Sequence, residues 1–332
     1  MNMKRILAAV LCLVMVLAIA AVTPATASAA DKTYELKLST TQTDTSMIYA
    51  GMKAAADKIL EDTDGHVVVT IYPSSQLGAE EDMIDQALQG MGIAVLTDAG
   101  RMSSYVNDMG ILNMAYFVDT YEDGVKVMGT DTFQAWDEEL HQQGLHPLCY
   151  NYFDGSRSFM GHKAFNTPAD LKGVVIRTPG AAPYSKSIEA LGATPYNIAW
   201  SEVYNGIQTK AIDGCEVQNT SAVSSKIYEV CEVASLTEHI NLFNFVVCGQ
   251  AWFDKLPAEY QEIVEKDFQE CAYQNAQEVI AAQADLMKVL TDNGMELVEV
   301  DKEAFKEAAK TAYEALGWTE LREALYEEAG LQ

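Results

Sequence analysis

Apolar positions along this chain switch repeatedly between a period of two and a period of 3.6. "YELKLST" (34–40) alternates apolar and polar residues, which predicts a strand. From Ser46 to Asp62 the spacing lengthens, placing Ile48, Met52, Ala55 and Ile59 on one face of a helix. "HVVVTIYP" (66–73) returns to a strand that Pro73 ends. "AEEDMIDQALQG" (79–90) is an amphipathic helix with acids in its first turn and Gly90 at its end. "GIAVLT" (92–97) is again a strand. A βαβα rhythm of this kind predicts an α/β fold with substantially parallel sheets.

The second half repeats the rhythm. "HPLCYNYF" (146–153), "VVIRT" (174–178) and "FVVCGQ" (245–250) predict strands; "APYSKSIEALG" (182–192) and "SEVYNGIQTK" (201–210) predict helices. From Pro257 to Gly294 neither proline nor glycine interrupts a helical pattern. About 37 residues at ~1.5 Å rise would run roughly 55 Å. A single domain of this size is narrower than that, so the helix is expected to bridge two. No proline- or serine-rich linker separates the halves, and the chain is expected to cross between domains more than once.

The first 30 residues lie outside this rhythm. Lys4 and Arg5 precede an apolar run from Ile6 to Val22, and Ala27-Ser28-Ala29 supplies a small-residue cleavage pattern. That layout is a secretory signal peptide. The run is short for a membrane span and lacks a basic flank behind it. About 300 residues then remain, which suggests two domains. The formal net charge is −26. Removing Lys4 and Arg5 with the leader takes the exported chain to −28. Such a chain is not expected to bind nucleic acid. An anionic ligand then needs local cations, which suffice because surface charge is screened over roughly 8 Å.

Cysteine and histidine add little chemistry. Cys12 falls in the leader; Cys149, Cys215, Cys231, Cys248 and Cys271 are odd in number and widely spaced, a pattern of buried apolar residues rather than of disulfides. His141 and His146 are the closest histidine pair, and their i,i+5 spacing does not share a helix face. No metal site and no cofactor is expected. The nucleophile elbow, the phosphate loop, the dinucleotide fingerprint, H-E-x-x-H and C-x-x-C are all missing.

"DLKGVVIRTPG" (170–180) poses the sharpest question. Arg177 ends a strand that is otherwise buried. Ligands in open α/β sheets bind beyond the carboxyl ends of strands, and a guanidinium there matches a carboxylate with two parallel hydrogen bonds. A structural acid partner is the alternative. Arg157, in "YNYFDGSRSF" (150–159), follows another predicted strand and a glycine turn, and would face the same cleft.

"YPSSQLG" (72–78), "DGSRSF" (154–159), "NTPADLKGVVIRTP" (166–179), "EALGATP" (189–195) and "SEVYNGIQTKAIDGCE" (201–216) follow in an order and spacing that resemble the solute-binding proteins of TRAP transporters, the DctP-type family. The resemblance covers essentially the whole chain after the leader. It implies a two-domain periplasmic-binding-protein-like α/β fold with a long helix spanning both domains. It implies capture of a small organic acid outside the cytoplasmic membrane and delivery to the TRAP membrane subunits.

Residue by residue, the resemblance implies that Arg177 grips the ligand carboxylate and that Arg157 is a second ligand-facing arginine. Trp200 stands where sialic-acid binders have a phenylalanine, and Asp98 near a ligand-contacting acid. Gly180 and Val217 replace asparagines of those binders, which speaks against sialic acid. Gln218 is a nearby replacement donor, and Glu216 is expected to orient an arginine. The resemblance further implies a first domain of 31–154 with 243–282 and a second of 155–242 with 283–332. A monomeric periplasmic protein with no catalytic residues is expected. An exported enzyme acting on an acidic substrate, or a ligand-sensing partner of a membrane receptor, would use the same cleft.

Overall fold

The computed structural model describes residues 32–331, so the expected signal peptide lies outside the described residues. Strands β1 (Tyr34–Ser39), β2 (Val67–Tyr72) and β3 (Ile93–Asp98) alternate with helices α1 (Met47–Asp62) and α2 (Glu80–Leu88), where periodicity placed them. Helix α1 buries Ile48, Met52, Ala55 and Ile59. Its start is set by Ser46, whose hydroxyl accepts the Tyr49 N–H at 3.2 Å. Short α3 (Ala99–Met102), α4 (Tyr121–Met128) and α5 (Asp131–Gln142) follow.

Next come β4 (Leu145–Gly161), β5 (Val175–Thr178), α6 (Ala182–Ala190), β6 (Thr194–Asn197), α7 (Trp200–Gln208), β7 (Gly214–Gln218) and α8 (Asn219–Ser224). The chain ends with β8 (Val233–Gly249), α9 (Gln250–Phe253), α10 (Ala258–Asp292), β9 (Glu296–Val298), α11 (Lys302–Leu316) and α12 (Thr319–Ala329).

The strands form one sheet in the order β2-β1-β3-β8-β4-β7-β5-β6, with β9 beside β8. The sheet is mixed rather than mainly parallel as expected. β3–β8, β8–β4 and β4–β7 are antiparallel, while the flanking β1–β2, β1–β3, β5–β6 and β5–β7 pairs are parallel. Every antiparallel pair involves β4 or β8, two 17-residue strands that run through the middle of the sheet against the direction of β3, of β7 and of each other. "DGS" within β4 reads as a turn, yet the strand continues through it. Pairing with β8 slips between Phe153 and Ser156, where Gly155 adopts φ +92°. A glycine there absorbs the irregularity without steric cost.

Helix α10 is 35 residues long, about 52 Å at ~1.5 Å per residue. Val264, Phe268 and Ala272 pack with α1 and β1; Ala276 and Val279 join Phe153 and Phe243; Leu290 packs with Met160, Val203 and Ala234. One helix thus contributes to three separate apolar clusters and ties the two ends of the sheet together. All five cysteines are buried as free thiols among the described residues. No described helix is long and apolar enough to cross a membrane.

Candidate functional site

The carboxyl ends of β1, β3, β5 and β7 converge on one cleft, which β4 and β8 cross at their midpoints. Thr41 and Gln42 follow β1, Asp98 ends β3, Pro179 follows β5, and Gln218 ends β7. Asp154 and Arg157 of β4 and Leu242 and Asn244 of β8 form the floor. The space measures about 530 Å³ including its mouth. It continues past Thr41, Glu80, Arg101 and Trp200 to a wider opening that Gly180 borders.

Strand register decides how the arginines enter. Arg157 pairs with Gln218, and Phe159 with Glu216, so these four side chains share one face. Arg177 pairs with Cys215, which puts it on the opposite face with Val175. The two guanidiniums leave opposite sides of the sheet and meet only where the strands end.

Arg157 is buried and committed. Its Nε donates to Glu216 Oε2, and its Nη2 donates to Glu216 Oε1 and to the Glu216 carbonyl, both at 2.7 Å. Thr178 Oγ1 donates to the same carboxylate at 2.8 Å, and His239 Nε2 stands 3.7 Å away. Burial works against the Glu216 charge, but the Arg157 guanidinium and these hydrogen bonds win and hold its pKa down, at about 2. Glu216 therefore orients an arginine, as its place in the sequence suggested.

Arg177 is different. It is 3% exposed, yet its Nε donates only to the Ile198 carbonyl, at 3.1 Å. Its guanidinium lies over the Trp200 ring at 5.3 Å, and no acid among the described residues forms an ion pair with it. Burial, and then repulsion by Arg157, lower its pKa to about 10. A buried cation without a counterion is costly. It is a feature that a bound anion would repair.

Trp200 opens α7 and is held by an Nε1–H donated to Ser225 Oγ at 3.3 Å. Gly180 borders the opening with nothing within 4 Å of where a Cβ would stand. Gln218 is buried against the cleft and makes no side-chain hydrogen bond among the described residues. Asp98 lines the cleft, but both oxygens are engaged: Oδ1 accepts the Arg101 N–H at 3.0 Å and Oδ2 accepts Arg101 Nη1 at 2.6 Å. Val217 is placed away from the other expected residues. It shares the Arg177 face but is 1% exposed, packed with Met160, Val203 and Ala222 beneath α7 and α8, and does not line the cleft.

Three cleft residues were not singled out from the sequence. Arg101, in "DAGRM", is drawn in by Asp98, by Glu81 at 2.9 Å and by Glu80 at 3.3 Å. The i,i+3 spacing from Asp98, directly after a fully buried strand, was the only hint. Glu80 is pushed up to about 7 by burial, despite Arg101. Asp154 is 1% exposed and accepts from Thr220 Oγ1 at 2.6 Å, Ser221 Oγ at 3.1 Å and Gln42 Nε2 at 3.1 Å. Among the described residues, no group of His, Cys, Asp and Glu is placed to hold a metal ion.

The profile of the family described as bacterial extracellular solute-binding protein, family 7 (DctP), matches residues 38–318. A sialic acid-binding periplasmic protein of Vibrio cholerae is 26% identical over 295 residues, 89% of this chain and 92% of that one. A 2,3-diketo-L-gulonate-binding periplasmic protein of Escherichia coli is 28% identical, covering 85% and 86%. The crystal structure of a TRAP periplasmic solute-binding protein from Actinobacillus succinogenes with bound L-galactonate superposes with a TM-score of 0.85 at 26% identity, covering 88% of this chain and 99% of that one. With its cleft at the strand ends, its bridging α10 and a profile match over most of its length, the chain belongs to the bacterial extracellular solute-binding proteins of family 7.

Proposed function

We propose that this protein captures a small organic acid in the cleft and hands it, chemically unchanged, to the membrane subunits of a TRAP transporter. The observation that carries the reading is Arg177, buried with no acid partner, at the carboxyl end of β5. A ligand carboxylate supplies the missing counterion through both guanidinium arms. Arg157 is already satisfied by Glu216 and presents its remaining nitrogen as a second, weaker contact. Trp200 covers Arg177 and offers an apolar face to the ligand. The protein is exported and acts as a periplasmic monomer, a reading supported by the leader layout and by the periplasmic relatives.

The fold suggests how capture proceeds. We read two lobes joined through β4 and β8 and divided near Gly155 and Leu242, with α10 spanning both. The Gly155 irregularity in β4 supports a hinge there. Helix α12 goes with the first lobe, because Leu325 packs in one cluster with Val127 and Phe133.

A thermal-shift screen against uronates, C4-dicarboxylates, hydroxy acids, keto acids and amino acids tests the reading. A true ligand at about 100 times its dissociation constant stabilises by roughly 2.7 kcal/mol. The ligand recovered afterwards is identical by NMR. Chemical turnover of the hit, or no shift with any acid, would overturn the proposal.

A further inference from the structure

We propose that the captured acid is zwitterionic, a small amino or imino acid whose carboxylate meets Arg177 and whose ammonium meets Asp154. This rests on the carboxylate-capture reading above and narrows it.

The cleft contains two unmatched charges of opposite sign. Arg177 is one. Asp154 is the other: it lines the same cleft, is 1% exposed, and no described cation forms an ion pair with it. Its three side-chain donors, from Gln42, Thr220 and Ser221, are all neutral. A carboxylate has about four acceptor positions, so one remains for a ligand. Burial raises Asp154 to about 6 against those donors and the more distant Arg157. Neutral hydrogen bonds therefore do not offset its desolvation, whereas a cation would.

Charge balance points the same way. The guanidiniums of Arg101, Arg157 and Arg177 are set against the carboxylates of Asp98, Glu80, Asp154 and Glu216. A simple anion adds negative charge to a site whose guanidiniums do not outnumber its carboxylates. A zwitterion adds none and satisfies both unmatched groups. An uncharged hydroxyl would fill the open acceptor position on Asp154 but leave its charge uncompensated. Two further amides border the same cleft. Asn244, 6% exposed, has an Nδ2 without a partner, and Gln218 has a free amide. Leu96, Leu242 and Trp200 supply the apolar wall that a side chain would touch.

The experiment is calorimetric titration at neutral pH with acids matched in skeleton: alanine and lactate, proline and tetrahydrofuran-2-carboxylate, glutamate and 2-hydroxyglutarate. A charge-assisted hydrogen bond contributes roughly 1.5–3 kcal/mol, so in at least one pair the amino member should bind about tenfold tighter or more. Asp154→Asn should remove that preference, weakening the amino member about tenfold more than the hydroxy member. The wild-type comparison stands even if the variant does not fold. Hydroxy acids that bind through Arg177 while their amino partners do not would overturn this inference and leave carboxylate capture intact. Equal weakening of both members by Asp154→Asn would overturn it as well. Silence from every acid would overturn both.

Discussion

Arg157 and Glu216 are diagonal neighbours on one face of the β4–β7 pair, with the Arg157 Nη2 donating to both the carboxylate and the carbonyl of Glu216 at 2.7 Å. Removing one partner of a buried ion pair costs about 3–5 kcal/mol, because the other is left charged and dry. Glu216→Ala is therefore expected to lose stability on that scale in urea unfolding. The acid limb should change too. Glu216 titrates near 2 when folded and near ~4.3 when unfolded. Its contribution is full above the unfolded value and disappears as pH falls through the folded one. The variant should show a flatter loss of stability across that window; an unchanged curve would mean the pair does not hold the fold.

Arg177 predicts the opposite behaviour. Arg177→Met removes a buried charge that no acid matches, so ligand-free stability should hold or rise while binding disappears. Function and stability pull apart at such sites. Arg177→Lys keeps the charge but loses the planar fork, and affinity for the identified ligand should drop by roughly tenfold or more. A melting temperature that falls sharply in ligand-free Arg177→Met would reveal a structural partner and remove the argument for a ligand counterion.

Asp154 gives a pH prediction of the reverse sign to Glu216. Its folded pKa is raised to about 6, above the unfolded ~3.9. Between those values the native state binds more protons than the unfolded chain, so this group's contribution to stability falls as pH rises through the window. Ligand-free Asp154→Asn should melt higher than wild type above pH ~6, by on the order of 2 kcal/mol. The difference should vanish toward pH ~4. A variant less stable at every pH would show that the three hydrogen bonds outweigh the desolvated charge.

Gly155 tests the hinge. At φ +92° an alanine is strained, and its Cβ would lie 3.1 Å from the Gln283 amide. Gly155→Ala should cost about 1–3 kcal/mol. Small-angle scattering of the wild type should show a more compact particle with ligand than without, and a smaller difference in the variant. Identical wild-type profiles at saturation would mean that the lobes do not move.

What local pattern determined was the list of elements and two of the chemical groups. Period-two and period-3.6 spacing placed β1, α1, β2 and α2, which are buried on one side and not the other, while β3, buried throughout, showed as a short apolar run. The absence of proline and glycine after Pro257 marked α10, and Pro179 behind Val175–Thr178 put Arg177 at a strand end. What only the tertiary structure decided was which side chains meet. Strands β4 and β8 are buried almost throughout and carry Asp154-Gly155 and Asn241–Asn244 inside, so they lack the alternation that announces a strand. Val217 looked like a cleft residue by position, but α7 and α8 cover its face. Arg101 and Asp154 were not singled out from sequence, since a short window cannot register desolvation by segments tens of residues away. The unmatched Arg177 and Asp154 became visible only once β4 and β5 were placed in one sheet, because the lack of a counterion is a property of the whole neighbourhood.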